Sequence, residues 1–246
     1  MNAALHLSPH LTTASVVTAA AVALYLAVGE PFVGRRMYAS LARRRDTEPA
    51  ALVRYFRTVL GFWAVLGALC GAVYALSPGL TAADLGLAVG DGPVAVTAFA
   101  GALLVAVVLG GRKLGGLARD GKHVPGLDAV SAMLPRTPRE RRHAVAVALV
   151  DAAGSELLHR GLLIAFGVGA LGLNIYVAAA LALLVYAGAG LYQGRSGVVV
   201  FALFGGVCTA LYLLTGSLLL PVAVHALVSL RDLVYLPAAV MKGRTA

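Results

Sequence analysis

Apolar runs, each about as long as a membrane crossing, alternate along this chain with short polar stretches. They occupy residues 11–29, 58–77, 93–111, 144–171, 173–191, 197–215 and 217–237. A helix needs roughly 20 mainly apolar residues to cross the hydrocarbon core. Lipid offers no partner for backbone N–H and C=O groups, so such runs predict helices that satisfy their own hydrogen bonds. The expected fold is all-α: a polytopic membrane helix bundle with seven or eight transmembrane segments. The number turns on the fourth run, where Asp151-Ala152-Ala153-Gly154 is a candidate break. No basic region precedes the first run, so Leu11 to Val28 reads as a retained span rather than a removed signal peptide.

Composition agrees with a membrane protein and excludes an ordinary soluble domain: 60% of the 246 residues are hydrophobic and 13% are charged. The net charge of +9 would suit nucleic acid, but the placement of the charges argues against that partner and for the lipid bilayer. Arg35, Arg36, Arg43, Arg44, Arg45, Arg54 and Arg57 separate the first two runs, and a second basic stretch from Arg112 to Arg142 separates the third and fourth. Asp84 and Asp91 lie between the second and third runs, with no basic residue beside them. With seven spans, eighteen of the twenty Lys and Arg residues fall on one side. The positive-inside rule then puts the amino terminus outside and the carboxyl terminus in the cytoplasm. Arg160 and Arg231 are the exceptions, both inside runs. Cys70 and Cys208 sit in apolar sequence and read as buried packing residues, not as a disulfide or metal site.

Candidate chemistry concentrates in Ser155-Glu156-Leu157-Leu158-His159-Arg160-Gly161, which places ionisable groups at hydrocarbon depth. Such groups cost several kcal/mol each and face a protein interior. Glu156 and Arg160, four residues apart, share a helix face and suit either a structural ion pair or a site. Rise per residue puts Glu156 about 18 Å into a core of roughly 30 Å, and His225, entering from the other side, at a similar level. The two are expected to meet across a helix pair. Asp151, Ser155 and His159 also share one face, but three such residues on one straight helix make a poor nucleophile–base–orienter set. Asp151 and His159 are at most weak metal candidates, since a lone Glu-x-x-His is half of a usual carboxylate-bridged site. No cofactor is expected.

These motifs resemble the CPBP family of intramembrane proteases, the type II CAAX prenyl endopeptidases and bacteriocin-processing, Abi-like proteins. The resemblance rests on Glu156-x-x-x-Arg160-Gly161, on Tyr186 to Gly190, and on His225-x-x-x-Ser229. Flanking stretches agree: Met133 to Arg142, Leu191-Tyr192-Gln193-Gly194 and Thr215 to Pro221. It covers about residues 130–237 and divides the chain into amino-terminal membrane helices with basic loops (1–129) and a CPBP-like helical core (130–246). It implies a glutamate-dependent hydrolase, often called a metalloprotease, in the bacterial cytoplasmic membrane, acting on a membrane-embedded or prenylated peptide. The family pattern is Glu-Glu-x-x-x-Arg, Phe-x-x-x-His, and His-x-x-x-Asn or His-x-x-x-Asp. Glu156, Arg160 and His225 match it as catalytic-motif remnants. Ser155 stands at the water-activating glutamate, Tyr186 at the phenylalanine, Gly190 at the second-motif histidine and Ser229 at the terminal amide or acid. Serine is no carboxylate base and glycine has no imidazole, so the resemblance implies a pseudoenzyme-like relative, weakly active or inactive, that binds its peptide or partner. Two alternatives stand beside it: an active endopeptidase with a rearranged site, and a small-molecule or ion transporter. Scarce intramembrane acids and the lack of paired interrupted helices weigh against transport.

Overall fold

The computed structural model describes residues 7–90, 93–124 and 126–245, with side chains as far as residue 240. The described residues are helical, joined by turns and short loops, with an isolated His10–Gly79 bridge as the one extended pairing among them. Asp91 lies outside the described residues. Helix α1 spans Thr13–Arg44, α2 Ala51–Ala75 and α3 Val94–Arg119. Helix α4 runs through Pro138–Glu156, a π-turn at Leu157–Leu162, and Leu163–Gly169. Helix α5 spans Ile175–Ala189 and ends in a 3₁₀ turn at Gly190–Gln193. Helix α6 is Arg195–Thr215, and α7 comprises Leu219–Leu230, a π-turn at Arg231–Tyr235 and Leu236–Thr245.

Six of these helices are long and apolar enough to cross a membrane: α1, α2, α3, α5 with its 3₁₀ turn, α6, and α7 over Leu219–Val240. The protein is therefore an integral membrane protein. Helix α4 has the length but not the composition, because Asp151, Glu156, His159 and Arg160 lower its hydropathy. The break expected at Asp151 to Gly154 does not occur. The helix continues through that stretch, and its irregularity falls one turn later, at the π-turn that starts beside Glu156. Helix α1 also runs past the expected end of its apolar run. Pro31 lacks an N–H, and the π-turn at Tyr25–Gly29 directly before it absorbs the lost helical bond.

Helix α4 occupies the centre, packed against α2 on one side and α7 on the other, while α5 and α6 pair beside it. The inner core joins Leu26, Trp63, Leu158, Leu162, Ile164 and Tyr212. Outward positions such as Phe32, Leu184 and Leu203 are large, apolar and exposed, as a lipid-facing surface requires. Lipid is as apolar as these side chains, so helix association depends on close packing and internal polar contacts. At Gly154 an added Cβ would lie 2.7 Å from Trp63, which lets α2 approach α4.

Helix α4 begins with a capping box. The Thr137 hydroxyl accepts from the Glu140 N–H, and Glu140 accepts in return from the Thr137 N–H. Glu140 also receives both ends of the Arg45 guanidinium, at 2.8 and 3.0 Å, and Arg45 donates to the Leu134 carbonyl at 2.9 Å. This buried latch ties the end of α1 to the start of α4 across 95 residues. Arg45 thus has a structural partner besides its part in the basic loop. On the opposite side of the bundle, Asp84 accepts from the Ser8 and Thr81 N–H groups and the Thr81 hydroxyl, which makes it a loop-fixing residue.

Candidate functional site

The polar centre is assembled where α4 faces α6 and α7. Glu156 is fully buried, and Arg160 and His159 are each 1% exposed. Burial of a carboxylate and a guanidinium is tolerable only when their partners are close and well aimed, and here they are. Arg160 Nη1 donates to Glu156 Oε1 at 3.2 Å, Nη2 to the Gly205 carbonyl at 2.8 Å, and Nε to Thr209 Oγ1 at 3.3 Å. Its guanidinium carbon also lies 4.3 Å from the centre of the Tyr186 ring, a cation–π contact. Gly205 makes this possible, since a Cβ there would sit 2.9 Å from Arg160 Nη2.

His225 reaches the same carboxylate from α7. Its Nδ1 is 2.8 Å from Glu156 Oε1, so the expected meeting of the two residues across a helix pair is present. A carboxylate oxygen only accepts, so Nδ1 carries the proton in this contact. The opposite nitrogen, Nε2, is 3.6 Å from Asp151 Oδ2. Phe204 and Tyr186 set their rings edge-on to His225, at 5.1 and 6.3 Å between centroids, and hold its plane. Asp151 is the open member of the group, with 36% of its side chain accessible, yet it stands among aromatic groups. Tyr55, Tyr186 and Tyr192 are all within electrostatic range of it. Asp151 thus stands at the partly accessible edge of the polar group, and Glu156 at its buried end.

The arrangement separates residues that helical spacing groups together. His159 Nδ1 bonds the Ser155 carbonyl at 2.9 Å, with Ser155 Oγ at 3.4 Å, and its ring packs edge-on to Tyr186 at 5.2 Å. Asp151 faces His225 rather than His159, so Asp151, Ser155 and His159 form no triad. Ser229 lies half-buried one turn beyond His225, outside the hydrogen-bonded group. Among the described residues no three His, Cys, Asp or Glu side chains gather in a way that could hold a metal ion. Glu156 Oε1 is engaged by both Arg160 and His225, while Glu156 Oε2 and His159 Nε2 are buried without a hydrogen-bond partner.

Gly190 carries more information than a missing imidazole. A Cβ at this position would lie 2.6 Å from the Gly197 carbonyl oxygen and 3.0 Å from Phe201. The space for a histidine stem is filled by the close approach of the α5 end to α6. Tyr186, one turn earlier, is 3% exposed and fills the centre of the site instead.

One participant escaped sequence reasoning. Glu30 on α1 has a buried Oε2 without a hydrogen-bond partner, and it lies within electrostatic range of Asp151. Its signal was present as a lone carboxylate directly after the first apolar run. Arg231, inside the last run, pairs with the adjacent Asp232 in the π-turn, Nε and Nη2 donating to its two carboxylate oxygens at 2.6 and 3.1 Å.

Residues 140–230 match the family model described as type II CAAX prenyl endopeptidase Rce1-like. Comparison with curated proteins and with solved structures returned no match.

Proposed function

We propose that this integral membrane protein, whose residues 140–230 match the type II CAAX prenyl endopeptidase Rce1-like family model, binds a membrane-embedded or prenylated peptide and hydrolyses it only weakly. The observation that carries this reading is the state of the two substituted positions. Ser155 has no carboxylate, and the His159 nitrogen beside its hydroxyl directs its proton to the Ser155 carbonyl and so cannot act as its base; the place of the second-motif histidine is closed by the Gly197 backbone. What persists is the binding half of a site. The Glu156, Arg160 and His225 contacts stiffen the junction of α4, α6 and α7, and Asp151 beside them is a partly accessible polar group. Loss of a positioned acid or base typically lowers rate by 10²–10⁴-fold. Losses within one cooperating site do not simply multiply.

The test is direct. Full-length protein in lipid nanodiscs is titrated with a fluorescent farnesylated CAAX-type peptide, and cleavage of the same peptide is followed by mass spectrometry. Saturable binding is expected, with turnover at least about 10²-fold below that of a relative with intact motifs. Turnover matching such a relative, or no binding at all, would refute the proposal. We further propose that the protein lies in a bacterial cytoplasmic membrane with its amino terminus outside.

A further inference from the structure

His225 stands between two carboxylates, and only one of them belongs to the family motifs. Glu156 Oε1 accepts a hydrogen bond from His225 Nδ1–H at 2.8 Å. In the neutral ring this leaves Nε2 as a lone pair, directed toward Asp151 Oδ2 at 3.6 Å. Two acceptors at that separation do not bond each other directly. A water molecule beside the gap can donate one O–H to each of them. Asp151 keeps 36% of its side chain accessible and is the member of the group that a water molecule can reach, while Glu156 is fully buried. Asp151 is also one helical turn before Ser155 on the same face of α4, so it offers a carboxylate displaced by about 6 Å from the substituted position.

We propose that Asp151 and His225 form a displaced water-activating pair that carries the residual peptide hydrolysis of this protein. The inference rests on the peptide-binding reading above and names the residues that act on the bound peptide. Asp151 holds the water by accepting one of its protons in a hydrogen bond. His225 Nε2 removes the other proton as the water oxygen bonds to the scissile carbonyl carbon. Glu156 stays bonded to Nδ1–H and offsets the charge of the imidazolium. When the tetrahedral intermediate collapses, the C–N bond breaks and His225 returns the proton to the leaving nitrogen. Glu156 thereby orients the base, as a carboxylate behind a histidine does in hydrolytic triads, while Asp151 and His225 touch the reacting water. The route uses neither Ser155 nor position 190.

The experiment compares wild type, Asp151→Asn, His225→Gln and the distant control Asp128→Asn, each full-length in nanodiscs. Peptide affinity, kcat and melting temperature are measured for each with a fluorogenic farnesylated peptide. Slow wild-type turnover is expected, with kcat reduced about 10²-fold or more in Asp151→Asn and His225→Gln. Peptide affinity should stay within about threefold, and Asp128→Asn should match wild type. Asp151→Asn is nearly isosteric at an accessible position, so its melting temperature reports whether the fold survives. Should His225→Gln fail to fold, the Asp151→Asn result stands on its own. Unchanged kcat in Asp151→Asn overturns the proposal and leaves Asp151 without a part in the hydrolysis. Peptide binding without any wild-type turnover also overturns it, and leaves the binding function standing. Absence of peptide binding removes the earlier reading and this one together.

Discussion

At Glu156 a single carboxylate oxygen receives both Arg160 and His225, and the arginine spends its remaining donors on Gly205 and Thr209. Removing the cation leaves a buried charge without compensation, which costs about 3–5 kcal/mol. Arg160→Ala should therefore melt well below wild type in detergent or nanodiscs. Glu156→Gln, which keeps an acceptor for Arg160 and deletes the charge, should lose less. Equal melting of the two variants would contradict the geometry. Glu140 makes a different prediction, because it lies at the membrane surface. Burial opposes its ionisation, but hydrogen bonds from Arg45, then from the Arg136 and Thr137 N–H groups, outweigh burial and hold its carboxyl below the ordinary 4.5. A depressed folded-state value means the ionised group stabilises the fold above the ordinary value, and that this stability is lost as pH falls through the folded one. The melting-temperature gap between wild type and Glu140→Gln should be full at pH 7 and close progressively below about pH 4.5.

Among the elements, the π-turns and the glycine contacts place groups that a regular helix would put elsewhere. The turn at Leu157–Leu162 begins directly after Glu156 and contains His159 and Arg160. The one at Arg231–Tyr235 lets adjacent residues form an ion pair. The crossing of the α5 end with α6 depends on Gly190 and Gly197, each of which would drive a Cβ into the other's backbone. Overfilling a packed contact costs about 1–3 kcal/mol. Gly190→Ala should lower the melting temperature measurably, and Gly190→His should lower it more. Restoring the family residues with Ser155→Glu and Gly190→His is therefore expected to yield an unstable protein, not a vigorous protease. A stable double variant with restored peptide cleavage would show that α5 and α6 can separate at this contact.

Across the whole molecule, basic ends gather on one side of the apolar bundle, and the Asp84 loop closes the other. Both native cysteines are buried and should react slowly with thiol reagents. Cysteines introduced at Val89, which is 82% exposed, and at Asp128 should then report orientation. Val89→Cys is expected to label from outside intact cells, and Asp128→Cys only after the cytoplasmic face is opened. The reverse pattern would invert the proposed topology.

The apolar runs were legible along the chain because length and hydropathy alone limit what lipid accepts. Each of the seven runs falls on a described helix, although α1 is longer than its run and α4 has no break. The pairing of Glu156 with Arg160 followed from four-residue spacing, and that with His225 from matched depth, both consequences of constant helical rise. Glu30, Asp151 and Arg45 were beyond such reasoning. Their partners or charged neighbours lie far off along the chain or depend on where helices cross. Sequence by itself determined which segments enter the membrane and which residue types stand at the motif positions, since both depend on local composition. Tertiary structure decided that Asp151 faces His225 and that Gly190 has no room for a side chain. Both depend on how closely helices pack, which side chains and small residues set only once the bundle is assembled.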